Sequence, residues 1–494
     1  MKGAATSVAR GAVLTVAMRW TDQLIGIVST LILARILVPE DFGVIAMASM
    51  IIGLTDVLFD LGVNVALIQN RHATPSHFHT AWTLRLLQAA FAATVAFLCA
   101  PLAADYFDDS RIRPVVQVLS LGLLITAFEN IGIVMFQKEM RFGLDFKFAF
   151  TKRIAGFLTT VSLALALNSY WALVFGALLG RVVGVALSYR MHPMRPRPSL
   201  EKVREIFSVS QWMMVRSILG YLTANVHKFV VGGRASASIV GGYTLADQIS
   251  AMPSSELLQP LNRVLFPAFV RERENPEALK RVFLLAQGVQ ALIAVPVSIG
   301  LLMLAPEAVG LLLGAKWMFI VPFVQVFALA NVAQAVATSG DYLLITVGKV
   351  GQQNIVPVAQ LTVFVSTVVA LPHAGALEIA WLRVAAIFAG LVASVCLLLH
   401  AVPFVALRDI VGSVHRPIVA SAVMALGLWQ LPPWFSPGIV LGLIVKSLVG
   451  AALYCLCVYL LWRIERRPDG SERYVTGKLI LLSSRLRPQP RPGT

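Results

Sequence analysis

Charge is what this chain has least of. Asp, Glu, Lys and Arg make up 13% of its 494 residues, about half the share of an ordinary soluble domain. Hydrophobic residues make up 57%, and the mean hydropathy is +0.77. No water-soluble fold hides that much apolar surface, so the chain's solvent is largely lipid. A soluble enzyme, a nucleic-acid-binding domain and a disordered chain are excluded, and too few polar residues remain for a large extramembrane catalytic domain. Cysteine is scarce as well. Four in the whole chain make no disulfide framework, and the Cys455-x-Cys457 pair lies in an apolar run, where helical geometry turns the thiols about 200° apart. Also missing is any GxxxxGK[ST] phosphate loop, so ATP hydrolysis in this chain is not expected. His77-x-His79 has no cysteine or carboxylate cluster beside it, and Asp108-Asp109 is not a sugar-nucleotide motif, so neither a metal nor a cofactor is expected.

What is present is a series of apolar runs of membrane-spanning length. Fourteen candidates cover roughly 12–34, 43–69, 80–103, 115–136, 149–168, 170–189, 208–231, 242–266, 282–304, 320–346, 354–372, 377–400, 417–431 and 439–462. Runs this long read as helices, because barrel strands need only about ten alternating residues. The expected fold is therefore an all-α polytopic membrane protein with 12–14 spans. Arg19 and Asp22 inside the first run argue against a cleaved signal peptide.

The net charge of +16 is a matter of sidedness. Alternating loops and the tail on one side hold 26 of the 41 Lys and Arg, and loops on the other side hold 5. That split places both termini in the cytoplasm. The loops are short, with the longest near 190–207. The tail 463–494 is basic and Pro-rich at its end, and reads as a disordered cytoplasmic tail against anionic headgroups. Trp20, Trp82, Trp171, Trp317 and Trp462 fit an interfacial belt.

The chain also repeats itself weakly. Arg35 precedes Gly43 by eight residues, just after one span and into the next, and Arg234 precedes Gly242 in the same way 199 residues later. Arg19 and Arg216 sit inside the preceding spans at nearly the same offset. Spans 1–6 and 7–12 then form two parallel halves. The expected division is an N-lobe 1–207, a C-lobe 208–400, two additional spans in 401–462 and the tail 463–494.

Leu33-Ala34-Arg35-Ile36-Leu37-Val38-Pro39-Glu40-Asp41-Phe42-Gly43 resembles the LAR-x-L-x-PEDFG signature that follows the first helix of Wzx-type polysaccharide flippases. Phe59-Asp60-Leu61-Gly62 and Ala66-Leu67-Ile68-Gln69 are similar to the same family, a branch of the multidrug/oligosaccharidyl-lipid/polysaccharide exporter superfamily. The specific motifs cover about residues 19–80, and topology and repeat carry the likeness more loosely beyond. The resemblance implies two six-helix lobes around a central cavity that opens alternately to each face. It implies an undecaprenyl-diphosphate-linked oligosaccharide as substrate, in the branch serving exopolysaccharide and lipopolysaccharide synthesis. It also implies a bacterial cytoplasmic membrane, with polysaccharide polymerase and export machinery as partners.

Charges inside spans are costly, at roughly 2.5–3.5 kcal/mol each at mid-bilayer, and usually face a wet cavity or a partner. The guanidinium fork matches phosphate oxygens. Arg19, Arg216, Lys228 and Arg263 are therefore the candidate cations for a diphosphate, although Arg19 and Asp22 could simply neutralise each other at i,i+3. Asp22, Asp56, Asp60, Glu129 and Glu256 are candidates for coupling to a proton or sodium gradient, with helix-to-helix hydrogen bonding as the plainer reading of each. Pro253 and Pro260 mark span 8 as bent. Three other roles stay open: a drug or cation exporter of the same superfamily, a peptidoglycan-precursor flippase, and a glycan polymerase or ligase. Mid-span arginines disfavour the first, the PEDFG-type signature the second, and short outer loops the third.

Overall fold

The structure, a computed structural model, describes residues 20–60, 62–70, 72–431, 438–466 and 470–474. The side chains of 69, 207–215, 255, 259, 260, 262–264 and 350 lie outside that description. The described residues form helices and no strand. In order these are α1 (20–36), α2 (Pro39–Phe59), α3 (Val63–Gln69), α4 (Pro75–Tyr106), α5 (Ile112–Ala127), α6 (Val134–Lys138), α7 (Phe142–Leu167) and α8 (Trp171–Met191). There follow α9 (Val203–Gly232), α10 (Ala237–Arg271), α11 (Pro276–Leu312), α12 (Val321–Thr346), α13 (Ile355–Ala370), α14 (Ala376–Ala401), α15 (Leu407–Trp429) and α16 (Ile439–Ile464). Each of the fourteen apolar runs finds a helix among the described residues, and residues 12–19 of the first run lie outside them. Ten helices among the described residues are long and apolar enough to cross a membrane, and α5 with the 131–138 segment makes an eleventh if the bent pair is one span. The chain is a multi-pass membrane protein. Leu98, Leu102, Val369 and Leu448 are strongly exposed on their helices, as lipid-facing side chains are.

Two runs are broken where hydropathy reads them as whole. The run 43–69 ends as a helix at Phe59, where the Asp60 carboxylate accepts the Gly62 N–H at 2.8 Å. Gly62 has φ near 60°, a left-handed conformation that glycine takes without a Cβ clash. Asp60 thus caps a turn and is not on the same helix face as Asp56. The run 115–136 bends by 64° between α5 and the 131–138 segment. Buried Asn130 fixes that break. Its Oδ1 accepts the Gly132 N–H at 2.9 Å, its Nδ2 donates to the Met194 carbonyl at 2.6 Å, and its N–H donates to Ser188 Oγ at 2.9 Å.

The chain divides into two compact units, Met1–Thr244 and Leu245–Thr494, and the boundary falls inside α10. In the first unit, α7 pairs with α8, and α5 lies among α2, α4 and α8. The motif Pro39-Glu40-Asp41-Phe42-Gly43 is explained here residue by residue. Pro39 opens α2, where its missing N–H costs nothing. The Asp41 carboxylate accepts the Val38 N–H and the Tyr170 N–H, both at 3.3 Å, so it caps α2 and ties it to the start of α8. Gly43 lies against the Ala237 backbone, and Gly241 lies against Pro39 and Gly43. The two repeat-related helix starts therefore cross backbone to backbone within the first unit, an approach that a Cβ at either glycine would block.

In the second unit, α12 is the most enclosed helix. Its Ala328, Ala330, Ala333 and Ala335 are buried, as are Ala291 and Ala294 of α11, and small side chains let these helix backbones approach closely. Asn331 donates to the Ser250 carbonyl at 2.7 Å, and Ser254 shares a hydrogen bond with Ser298, which ties α10 to this unit.

Candidate functional site

The centre of the first unit is polar. Arg85 of α4 donates to the carbonyl of Ala127 from Nε and Nη2, at 3.3 and 3.0 Å, and also to those of Thr126 and Glu129. It satisfies carbonyls that the end of α5 leaves without intrahelical partners. Glu129, just beyond, forms an ion pair with Lys152 of α7. Gly184 of α8 leaves the room, since a Cβ there would press on both side chains. Arg181, one turn earlier on α8, extends its guanidinium over Gly122 of α5, which likewise has no side chain to block it. Its Nη1 is buried without a hydrogen-bond acceptor, and the charges acting on it are Asp56 of α2 and Glu129. Acid and base thus alternate from Asp56 through Arg181 and Glu129 to Lys152, across three helices and the connector that follows α5.

Beside this cluster, α9 is pinned to α2 at mid-length. The Tyr221 hydroxyl donates to the Met50 carbonyl at 2.7 Å, and its ring lies over Gly53. Farther along α9, buried His227 hydrogen-bonds to the Tyr243 hydroxyl at 2.9 Å, Phe107 covers Gly232, and Tyr106 covers Gly233. In the other direction, Arg216, Ser217 and Gly220 are exposed, and so are Asp56, Leu58 and Asp60 at the matching end of α2. An exposed arginine midway along a helix of membrane-spanning length calls for water, an anion or headgroups.

The sequence candidates fall as follows. Arg19 lies outside the described residues, as does the side chain of Arg263. Asp22 pairs with Arg153 of α7 at 3.2 Å. Asp56 faces Arg181, Asp60 caps its turn, and Glu129 is paired with Lys152. Lys228 is half-buried with its Nζ 3.4 Å from Asn225 Oδ1. Glu256 is half-buried on α10. Three paired groups escaped the sequence reading as sites. Lys152 is one. The others are in the second unit, where Arg383 of α14 meets Asp247 of α10 at 2.5 Å while stacking on Phe327, and Lys446 of α16 pairs with Glu307 of α11. All but Glu307 lie in apolar runs, and their placement there was the available signal. Among the described residues no group of three His, Cys, Asp or Glu side chains could hold a metal ion.

Comparison with known proteins gives concordant likenesses. A family model described as "Polysaccharide biosynthesis protein" matches residues 32–322. The lipopolysaccharide biosynthesis protein WzxC of Escherichia coli (strain K12) is 27% identical over 334 residues, 66% of this chain and 67% of that protein. The succinoglycan biosynthesis transport protein ExoT of Rhizobium meliloti (strain 1021) is 24% identical over 93% of this chain and 92% of its own. Among solved structures, the lipid II flippase MurJ in an inward closed conformation superposes with a TM-score of 0.75 at 11% identity, covering 92% of this chain and 100% of that one. An inward-facing multidrug resistance MATE transporter of the MOP superfamily gives 0.59 at 14% identity, covering 85% and 99%. At those identities the likeness is one of fold.

Proposed function

The chain belongs to the polysaccharide biosynthesis protein family, and from that premise we propose that it is a flippase. It moves undecaprenyl-diphosphate-linked oligosaccharide units from the cytoplasmic to the outer leaflet of the bacterial inner membrane, by alternating access and without covalent chemistry. Its termini are cytoplasmic, as the Lys and Arg distribution supports. The working halves are 1–207 and 208–400, followed by the spans of 401–462 and the tail 463–494. The contact of Gly43 with Ala237, and of Gly241 with Pro39, supports this symmetry because the repeat-related helix starts cross each other.

The observation that supports the reading is the exposed Arg216, midway along α9 and little more than a turn from the Tyr221 contact with α2. A fork of donors in that position suits a diphosphate, whose charge cannot cross hydrocarbon alone. Arg19, Lys228 and Arg263 complete the proposed set. A cationic drug would be repelled by such walls, which disfavours the exporter alternative. Of the carboxylates proposed for ion coupling, Asp56 has the best support, being exposed and facing an arginine. Glu129, Asp22 and Asp60 already have partners, and Glu256 is the candidate in the second unit. A polymerase and the export machinery are proposed as partners that take up the flipped unit.

Depletion in the host, with lipid-linked oligosaccharides measured by leaflet, tests the function. Inner-leaflet accumulation with loss of surface polymer is the expected result. Unchanged lipid-linked glycans in both leaflets would sink the flippase reading, and outer-leaflet accumulation would place the block after flipping.

A further inference from the structure

Beyond α16 the chain does not simply leave the protein. Residues Gly470–Tyr474 turn back into the second unit, and Ser471 and Glu472 are only 6% and 5% exposed. Ser471 sits against Gly288 of α11, where a Cβ would come within 2.8 Å of its Oγ, so the absent side chain forms the slot. Glu472 reaches Nη1 of Arg416 on α15 at 2.8 Å. Arg416 is itself only 7% exposed, and its Nε is 3.3 Å from the Glu465 carboxylate at the end of α16. His415 Nε2 and Glu465 share a hydrogen bond at 2.8 Å. Both Arg416 contacts are close, yet neither Nε nor Nη1 is aligned with an acceptor as a hydrogen bond. The segment caps a polar seam between α11 and α15 in which Lys280 meets Asp409 at 2.5 Å and Ser413 donates to Gln287 at 3.1 Å.

Two features make this docking reversible. Arg416 keeps Glu465 when Glu472 leaves, so release does not strand a buried charge. The sequence that follows also has a competing destination. Residues 475–494 carry Lys478, Arg485, Arg487 and Arg491, no Asp or Glu, and the apolar run Leu479-Ile480-Leu481-Leu482. Such a segment is drawn to an anionic lipid surface.

We propose that Gly470–Tyr474 is a cytoplasmic latch, seated by Glu472 on buried Arg416, and that binding of the basic segment 475–494 to an anionic lipid surface pulls it out. The latch stands apart from the proposed transport activity, and its test needs no glycan. The full-length chain, with Cys99, Cys396, Cys455 and Cys457 replaced by Ala and Ser471→Cys introduced, is placed in nanodiscs of phosphatidylcholine alone or mixed with phosphatidylglycerol. The rate of labelling by a polar maleimide is then measured. Labelling is expected to be slow in the neutral discs and at least tenfold faster in the anionic discs. Glu472→Gln is expected to give fast labelling in both. Replacing Lys478, Arg485, Arg487 and Arg491 by Gln is expected to give slow labelling in both. Equal rates for the unaltered tail in the two lipids would overturn the proposal, as would fast labelling in neutral discs with Glu472 in place.

Discussion

Arg216 and Glu129 are both charges within apolar runs, yet they face different surroundings. Arg216 is exposed, so its removal costs the fold little, and under the proposed function it weakens the hold on the diphosphate. A charge-assisted hydrogen bond contributes roughly 1.5–3 kcal/mol, so Arg216→Ala is expected to lower transport about tenfold or more at unchanged protein level, with Arg216→Lys intermediate. Unchanged transport at normal protein level would remove Arg216 from the site. Glu129 is bound to Lys152, with the two side chains 14% and 29% exposed. Breaking a fully buried pair costs about 3–5 kcal/mol, and partial exposure reduces that to roughly 1–3 kcal/mol. Glu129→Gln or Lys152→Met alone should lower the thermal midpoint of the purified protein, and Glu129→Leu with Lys152→Met should recover much of the loss. If the single variants match the wild type, the pair is not structural. The sequence marks such charges as exceptional because the bilayer makes them so. It does not reveal their partners, because Lys152 reaches Glu129 only through a gap left by Gly184 two spans away.

At the scale of helices and turns, the hairpin of α7 and α8 packs through glycine. A Cβ at Gly176 would run into the side chain and Cα of Thr160, whereas one at Gly180 would lie 3.3 Å from Gly156 Cα. Gly176→Leu is therefore expected to abolish folded, membrane-inserted protein, while Gly180→Ala should be nearly neutral in expression and thermal midpoint. Equal yields of the two would show that the hairpin can open. The connector after α8 carries a pH response. Burial pushes the His192 imidazole below its ordinary value of 6.5, with Arg141 and Arg195 acting in the same direction and Glu139 against them. Its Nδ1 accepts the Met194 N–H at 3.2 Å, an acceptor role that protonation removes. The unfolded connector binds the proton more readily than the folded one, so the stabilisation is complete above about pH 6.5 and is lost as pH falls below it. Protection factors in residues 192–200, which correct for the slower intrinsic amide exchange in acid, should fall between pH 7.5 and 5.5, and His192→Phe should abolish that fall. The existence of the long helices was legible, since lipid imposes run length. Their breaks at 60–62 and 128–133 were not, because Gly62 and Asn130 act through turn geometry and side-chain hydrogen bonds while the hydropathy of each run stays high.

At the scale of the whole chain, the Lys and Arg asymmetry is the sequence basis for the proposed sidedness, and two Arg-to-Gly spacings are the basis for the proposed halves. The docked tail was hidden, because Glu472 is one of three acids among the basic residues that follow Trp462 and its value lies in Arg416, 56 residues earlier. The latch sets two electrostatic interactions of similar size against each other. Stranding a buried charge costs about 3–5 kcal/mol, and separating Arg416 from Glu472 costs less than that because Arg416 keeps Glu465. Four basic residues at an anionic surface gain roughly 1 kcal/mol each. Balances this close respond to conditions that affect only one side. Salt is such a condition, because the Debye length falls from about 8 Å at 0.15 M to about 3 Å at 1 M and screens exposed charges far more than buried ones. Raising salt should therefore weaken the hold of the membrane on 475–494 and leave the Arg416 contact largely intact. In anionic nanodiscs the labelling of Ser471→Cys is expected to slow as salt rises, approaching the neutral-lipid rate near 1 M, whereas a simple ion pair at the surface would loosen and label faster. The sign of that change separates a buried latch pulled by lipid from a tail that rests on the protein through screened charges.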